Sequence, residues 1–121
     1  MDNDKIIKYM TTKKYRKNYV CWDFVREVCK DLYNMDLPEY PVDKIIHAEG
    51  RKVLEGNVPH IRIDKCEDVQ EGDIIVFSMF TQQHAGVMID KDNFIHLSRD
   101  RGVCVTMLNN IKGEYAIYRK L

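Results

Sequence analysis

Two patterns of apolar positions follow one another along the chain, and the first is helical. Residues 4–10 predict a short helix, which ends in a polar run. A stronger signal comes next, because apolar side chains recur at spacings of three and four while charged side chains take the other side; these apolar positions are Cys21, Val25, Val28 and Leu32. Asn18 is the predicted N-cap of this helix, and Pro38 prevents its continuation. Cys21 is therefore expected in the first turn, on the buried side.

The second pattern is that of short strands, and it begins after Pro59. Residues 43–54, which precede it, predict a weaker helix or an irregular connection. The turn signal Glu71-Gly72-Asp73 leads into an apolar run suited to a buried strand, and later segments alternate between two faces. The predicted strands cover residues 74–77, 84–90, 94–98, 103–108 and 115–121. Helices first and an antiparallel meander afterwards predict an α+β fold.

Length and charge narrow the class of protein. A chain of 121 residues fits one hydrophobic core, so a single domain over residues 1–121 is expected. Basic and acidic residues balance at 19 each, which argues against a nucleic-acid binder, since such a protein needs an excess of basic residues on one face. No stretch approaches the roughly 20 apolar residues that span a bilayer. The first residues lack the basic-then-apolar pattern of a secretory signal, so cytoplasmic synthesis without a signal peptide is expected.

Cysteine and histidine supply the candidate chemistry. The four cysteines are too few and too scattered for a disulfide scaffold, so they are expected to be reduced. In the first turn of a helix, unpaired backbone N–H groups and the helix dipole favour the thiolate of Cys21 over the thiol, and the same N–H groups can hold an oxyanion. Acyl transfer also needs a base and a group that orients the base. His84 and His96 lie on two predicted strands joined by a hairpin, and they are the candidates for these roles.

An ordered set of motifs resembles the NlpC-type, papain-like cysteine peptidases of the cell wall, in particular their phage-associated subgroup. The nucleophile helix of that family resembles the segment Cys21-Trp22-Asp23-Phe24-Val25-Arg26-Glu27-Val28. Residues 71–77 resemble the strand before the family's catalytic histidine, and residues 84–89 resemble the histidine strand itself. Residues 94–96 resemble the strand of the third catalytic residue, and segments 103–108 and 115–119 fit the closing strands.

This resemblance implies an NlpC fold, with N-terminal helices packed on a C-terminal antiparallel sheet, and a hydrolase without cofactor or metal. Cys21 would attack the carbonyl carbon of an amide bond in a peptidoglycan stem peptide. His84 would take and return the proton, and His96 would fix the imidazole of His84. The implied site of action is the cell wall or a virion, and the implied partner, beside the peptidoglycan peptide, is a phage tail or lysis assembly.

The surroundings of Cys21 depart from the family's pattern. The family usually has an aspartate just before the cysteine and a glycine two residues after it, where this chain has Val20 and Asp23. The family's Tyr-Gly-Gly-like stretch before the helix is absent. The candidate substrate-binding residues are Tyr15 and Tyr19, which would substitute for that stretch, and Trp22, which would wall the site. A catalytically inactive structural or binding module of the same fold is therefore an alternative.

Zinc binding is the other alternative, because one cysteine and two histidines are acceptable zinc ligands. Against it, the chain lacks the short paired spacings that most zinc sites use. Cys29 and Cys104 are assigned to the core by the apolar pattern around them. No function is assigned to the three remaining residues of these types, since they lack partners in the pattern: Cys66, His47 and His60.

The proposed triad makes a geometric demand on the hairpin between the two histidine strands. For His96 to orient His84, both side chains must lie on one face of the sheet. A three-residue loop, 90–92, places His96 opposite Gly86 and makes the two histidines diagonal neighbours, whereas a regular loop of even length puts them on opposite faces. We therefore expect an odd loop or a bulge.

Two further expectations follow from that hairpin. A tight loop of this kind favours a residue with positive φ, for which Asp92 and Asn93 are the candidates. The first turn of the Cys21 helix is expected to cover the face that carries both histidines, with Gly86 leaving room for its approach.

Overall fold

The two helices predicted around the first 33 residues are confirmed. The computed structural model describes residues 1–37, 60–63, 66–79 and 82–120. Helix α1 spans Asn3–Thr12. Its N-cap is Asp2, whose side chain accepts a hydrogen bond from the Lys5 backbone N–H at 2.8 Å. Helix α2 spans Cys21–Tyr33, and no helix within the described ranges combines the length and apolar character needed to cross a membrane. The helix or irregular connection predicted over 43–54 lies outside the described residues.

Helix α2 begins and ends on signals other than the predicted ones. Its N-cap is Val20 and not Asn18, and the carboxylate of Asp23 accepts a hydrogen bond from the Val20 N–H at 2.9 Å. A carboxylate at the third helical position satisfies that donor and lies favourably near the positive end of the helix dipole. The C-terminal end is set by Asn34, which adopts the left-handed conformation with φ 49°, so the helix stops before Pro38 is reached.

Within the described residues, six antiparallel strands form one sheet in the order β1-β6-β2-β3-β4-β5. Their bounds are β1 His60–Ile63, β2 Ile74–Met79, β3 Gln82–Met88, β4 Asn93–Ser98, β5 Gly102–Met107 and β6 Tyr115–Lys120. The five strands predicted from residue 74 onward are confirmed, with ends displaced by one or two residues. Strand β1, which pairs with β6, was not predicted as a separate strand. The fold is α+β, as predicted.

The two faces of the sheet carry different side chains. Helix α2 packs on the helix-side face, where its Trp22, Phe24, Val25 and Val28 share a core with Val76, Ala85, Val87, Ile95 and Leu97. The opposite face, here called the histidine face, carries His84, His96 and a second cluster that includes Ile75, Phe77, Met88 and Phe94. The expectation that the first turn of α2 covers the histidine face is therefore wrong. Alternation places the purely apolar positions of β3 and β4 under the helix instead.

The hairpin of β3 and β4 has the predicted register. Gly86 opposes His96, so His84 and His96 lie on one face, which confirms the geometric expectation. A Cβ atom at Gly86 would lie 2.8 Å from the Ile95 carbonyl oxygen, 3.0 Å from the Phe94 ring and 3.2 Å from the His96 Cβ. Gly86 thus makes room for its partner strand β4, and not for α2 as expected.

The loop of this hairpin closes without a left-handed residue. The Ile89 N–H donates to the Asn93 carbonyl oxygen at 2.9 Å, which leaves three residues in the loop. Asp90 Oδ1 accepts from the backbone N–H groups of Asp92 and Asn93 at 2.7 and 2.8 Å. These side-chain hydrogen bonds stabilise the turn directly. The predicted positive φ at Asp92 or Asn93 is wrong, since Asn34 is the one non-glycine residue with positive φ in the described part of the chain.

Candidate active site

Cys21 is the first residue of α2 and is 5% exposed. Its thiol is hydrogen-bonded by backbone groups of Ala85 on β3 and of Cys21 and Trp22 at the helix start. The N–H groups of the first helical turn are free to do this because they have no acceptor within the helix. The pairing of β3 with β4 begins only at Gly86. The thiol therefore lies against β3 at Ala85, the residue that follows His84, just before the pairing of β3 with β4 begins.

The protonation of Cys21 differs from the expectation. Burial raises the pKa of the thiol, because a thiolate in this position would lose most of its hydration. The backbone hydrogen bonds lower the pKa without offsetting burial, and the carboxylate of Asp23 raises it further. The expected preference for the thiolate is wrong here. The thiol is therefore neutral at neutral pH, and it needs a base to become the reactive thiolate.

His84 and His96 are both supported by Phe77. The Phe77 ring opposes His84 across β2 and β3, and its centroid lies 5.8 Å from that of His84 and 5.5 Å from that of His96. Phe94 also contacts His96, with 5.2 Å between centroids. His84 is half-buried, whereas His96 is only 4% exposed. The ring of Phe77 therefore packs against both imidazoles, and His96 is the more deeply buried of the two.

Burial also decides the charge of the two imidazoles. Loss of hydration lowers the pKa of His84. The pKa of His96 falls to about 4, first through burial and then through repulsion from a charged His84. Both rings are therefore neutral at pH 7. A neutral His84 is able to accept a proton from a thiol, and a proton on His84 disfavours a second one on His96.

The ring nitrogens of the two histidines differ in their partners. Nε2 of His96 lies 3.0 Å from Oγ1 of Thr106 on β5. The Nδ1 atoms of His84 and His96 are both buried and have no hydrogen-bond partner among the described residues. A buried nitrogen without a partner carries a desolvation cost, so each of these atoms is a candidate for a bond that forms only when the site is at work.

The sequence prediction missed three residues of this site, namely Phe77, Phe94 and Thr106. The signal for Thr106 is alternation in β5, where Cys104 opposes His96 and Thr106 follows on the same face. Combining the registers of two successive hairpins would have located it. Phe77 opposes His84 in the strand pairing, and Phe94 precedes His96 by two residues on the same face of β4.

The predicted substrate-binding residues lie on the helix side of the molecule. Trp22 is 3% exposed and belongs to the helix-side core, against which Tyr15 and Tyr19 pack. Backbone hydrogen bonds in both directions, at 2.9 and 3.1 Å, join Arg16 to Tyr19 in a tight turn just before α2. The structure gives Trp22 a packing role, and substrate contacts by Tyr15, Tyr19 and Trp22 stay predictions.

The other cysteines lie outside this arrangement. Cys29 is fully buried, and burial raises its pKa to about 12, which confirms its assignment to the core. Cys104 is half-buried on the histidine face, opposite His96, so its assignment to the core is wrong. The side chains of the remaining three residues weighed in the sequence, Cys66, His47 and His60, lie outside the described part.

A zinc site of the kind considered from the sequence is not formed by these side chains. Within the described ranges, no three or more histidine, cysteine, aspartate or glutamate side chains come together in a way that could hold a metal ion. The two imidazoles of the histidine face instead pack around the ring of Phe77.

The fold and the site define an α+β domain with a cysteine at a helix start beside a histidine-bearing strand. Residues 8–119 match the NlpC/P60 family, and the chain belongs to this family. It is similar to a probable endopeptidase of Haemophilus influenzae, with 29% identity over 98 residues. That match covers 78% of this chain and 53% of the relative, so the chain spans about half the length of this curated relative.

A solved structure shares the fold. The chain is similar to the crystal structure of the NlpC/p60 domain of the peptidoglycan hydrolase SagA, with a TM-score of 0.59 and 16% sequence identity. The match covers 94% of this chain and 92% of that one. At this identity the likeness concerns the fold, and it extends over nearly the whole of both chains.

Proposed function

We propose that the protein is a cysteine peptidase or amidase that cleaves amide bonds in peptidoglycan stem peptides, with Cys21, His84 and His96 as its triad. The observation that carries the proposal is the position of the Cys21 thiol, which lies against the backbone of Ala85, next to His84, at a point of β3 where the pairing with β4 has not yet begun. Family membership supports it, as do the endopeptidase and peptidoglycan hydrolase named among the similar proteins.

The reaction starts from a neutral pair. His84 accepts the proton of the Cys21 thiol, and the resulting thiolate forms a bond to the amide carbonyl carbon. The tetrahedral intermediate collapses when the C–N bond breaks and His84 returns the proton to the leaving amine. His84 then takes a proton from water, and the hydroxide attacks the thioester carbon. The C–S bond breaks, the carboxylic acid leaves, and His84 returns its proton to the sulfur.

Backbone groups at the start of α2 would stabilise the negative charge of this sequence. The same N–H groups that bond the thiol face the nucleophile, and their alignment with the helix dipole favours negative charge there. Asp23 contributes by fixing the helix start through its bond to the Val20 N–H. The departure from the family's usual residues around Cys21 thus has a structural role in holding the first turn.

The cell wall is the proposed site of action, and a phage tail or lysis assembly is the proposed carrier. The support is the resemblance of residues 21–28 to the nucleophile helix of phage-associated members. The purified protein should release fragments from isolated peptidoglycan, and a carrier should be required for intact cells. Equal digestion of intact cells and isolated wall by the protein alone would contradict the need for a carrier.

The test compares two cysteines of the same helix. Cys21→Ala should lower the release of fragments from purified peptidoglycan, identified by mass spectrometry, by at least about 10³-fold, since the nucleophile is lost. Cys29→Ala removes a buried thiol two turns further along α2 and should keep most of the activity, with only a loss of stability. Cleavage by Cys21→Ala at the wild-type rate would refute the nucleophile. A wild-type protein that releases nothing, and whose Cys21 is alkylated no faster than Cys29, would identify an inactive module.

A further inference from the structure

The second histidine of the proposed triad has a defined partner that the triad does not include. His96 is packed between the sheet and two phenylalanine rings, and its Nε2 atom lies 3.0 Å from Thr106 Oγ1. Its Nδ1 atom is buried without a partner among the described residues. Because Nε2 is occupied by Thr106, Nδ1 is the nitrogen left to interact with His84.

Neutral imidazole exists as two tautomers, and they differ in which nitrogen carries the proton. The low pKa of His96 keeps the ring neutral over the whole working range of pH. When His84 has taken a proton from the thiol, its second N–H needs an acceptor, and His96 serves only if the nitrogen facing His84 has a lone pair. That requires the proton of His96 to be on Nε2.

We propose that Thr106 is a positioning residue, which accepts a hydrogen bond from Nε2–H of His96 and so leaves Nδ1 of His96 as the acceptor for His84. A threonine hydroxyl has two lone pairs, and Thr106 is half-exposed, so its own O–H is free to donate elsewhere. The inference rests on the proposed function, because it assigns a role within that triad, but the tautomer itself is measured without any substrate.

The register of the sheet makes this contact specific to Thr106. Cys104 opposes His96 directly and Thr106 opposes Phe94, so Thr106 reaches the imidazole along the diagonal. Its neighbours in β5 point to the other face. The thiol of Cys104 lies 3.6 Å from the Gly102 carbonyl oxygen, and is therefore directed along its own strand. Among the described side chains, Thr106 is the one within hydrogen-bond distance of the His96 ring.

The first test measures the tautomer by nitrogen-15 NMR of the histidine rings at pH 7. The wild-type protein and Thr106→Ser should show His96 protonated at Nε2, and Thr106→Val should show a mixture of tautomers or protonation at Nδ1. Thr106→Val keeps the shape of the side chain and removes only the hydroxyl. Protonation at Nδ1 in the wild type, or an unchanged tautomer in Thr106→Val, would overturn the proposal whether or not the protein is active. If Thr106→Val fails to fold, the wild-type and Thr106→Ser spectra still decide it.

The second test measures whether the tautomer of His96 affects the reactivity of Cys21. The rate of Cys21 alkylation, followed as a function of pH, should fall about tenfold in Thr106→Val and be restored in Thr106→Ser. Thr11→Val makes the same chemical change at the end of α1, where the hydroxyl donates to the Ile7 and Lys8 carbonyl oxygens, and it should leave the rate unchanged. Equal slowing in Thr11→Val, or none in Thr106→Val, would refute the positioning role. Neither result depends on peptidoglycan cleavage, so failure of the proposed function is recognised separately.

Discussion

At the scale of single residues, burial drives every group of the candidate site towards its neutral form. It raises the pKa of the Cys21 thiol and lowers the pKa of both imidazoles. In the proposed reaction, the proton therefore stays on sulfur until a substrate is present, when developing charge on the amide oxygen favours its transfer. A site of this kind is protected from indiscriminate reaction with electrophiles or oxidants, because the thiolate is the reactive form.

Replacing His96 by Gln should make the stability of the protein less sensitive to acid. His96 stays neutral in the folded chain until the pH reaches about 4, whereas in the unfolded chain it takes up a proton at about 6.5. Between these values the unfolded state binds a proton that the folded state does not, so stability is lost as the pH falls, up to about 3 kcal/mol in all. Thermal unfolding at pH 7, 6 and 5 measures the effect.

The wild-type Tm should fall more steeply over this range than that of His96→Gln. The other three histidines are present in both proteins, so the difference between the two proteins reports the titration of His96 and its coupling to His84. Parallel curves for the two proteins would show that His96 is not the buried neutral group.

The roles of single residues could be predicted only in part. Cys21, His84 and His96 were identifiable as candidates because each lies in one of the ordered motifs that resemble the family. The raised pKa of the Cys21 thiol could not be predicted, because the burial of the thiol depends on how α2 packs on the sheet. This burial outweighs the local effect of the helix start on the pKa. Thr106 was missed because its position beside His96 follows only when the registers of two successive hairpins are combined.

At the scale of elements, the β3–β4 hairpin decides whether the two histidines can work together. Its odd loop was predictable, because strand alternation and loop length together fix the register. The covered face was predicted wrongly, although Ala85, Val87, Ile95 and Leu97 already formed an uninterrupted apolar surface for α2. The start of α2 was also misplaced. A carboxylate within the first turn can replace a side chain at the N-cap, and Asp23 does so for Val20.

Replacing Gly86 by Ala should disturb the hairpin at its centre. The added Cβ would lie 2.8 Å from the Ile95 carbonyl oxygen, so β4 must move, and the cost should be about 1–3 kcal/mol of unfolding free energy, as for other overpacked sites. Because His96 follows Ile95, the displacement should also slow Cys21 alkylation. Denaturant unfolding and the alkylation rate measure the two effects. Unchanged stability in Gly86→Ala would show that the strands are less closely paired at this point than the register implies.

At the scale of the whole molecule, strand β6 occupies an interior position of the sheet, next to the edge strand β1. Strand β6 is inserted between β1 and β2, and Arg119 on β6 forms a bidentate ion pair with Asp73 just before β2, with both N···O distances at 2.8 Å. The same guanidinium donates to the Asp68 carbonyl oxygen at 2.5 Å, and Asp73 accepts from the Gln70 N–H at 2.8 Å. These hydrogen bonds therefore link β6 to the turn that precedes β2.

Replacing Arg119 by Met should therefore destabilise the whole domain. Asp73 is 2% exposed, and removal of its cation leaves a buried charge uncompensated, which should cost about 3–5 kcal/mol of unfolding free energy. The matched control is Lys30→Met, which breaks the Lys30–Asp36 pair, whose side chains are 54% and 82% exposed; it should cost less than about 1 kcal/mol. Urea unfolding of both variants gives the comparison. Similar small losses of unfolding free energy in the two variants would show that the ion pair of Arg119 with Asp73 does not hold β6 in the sheet.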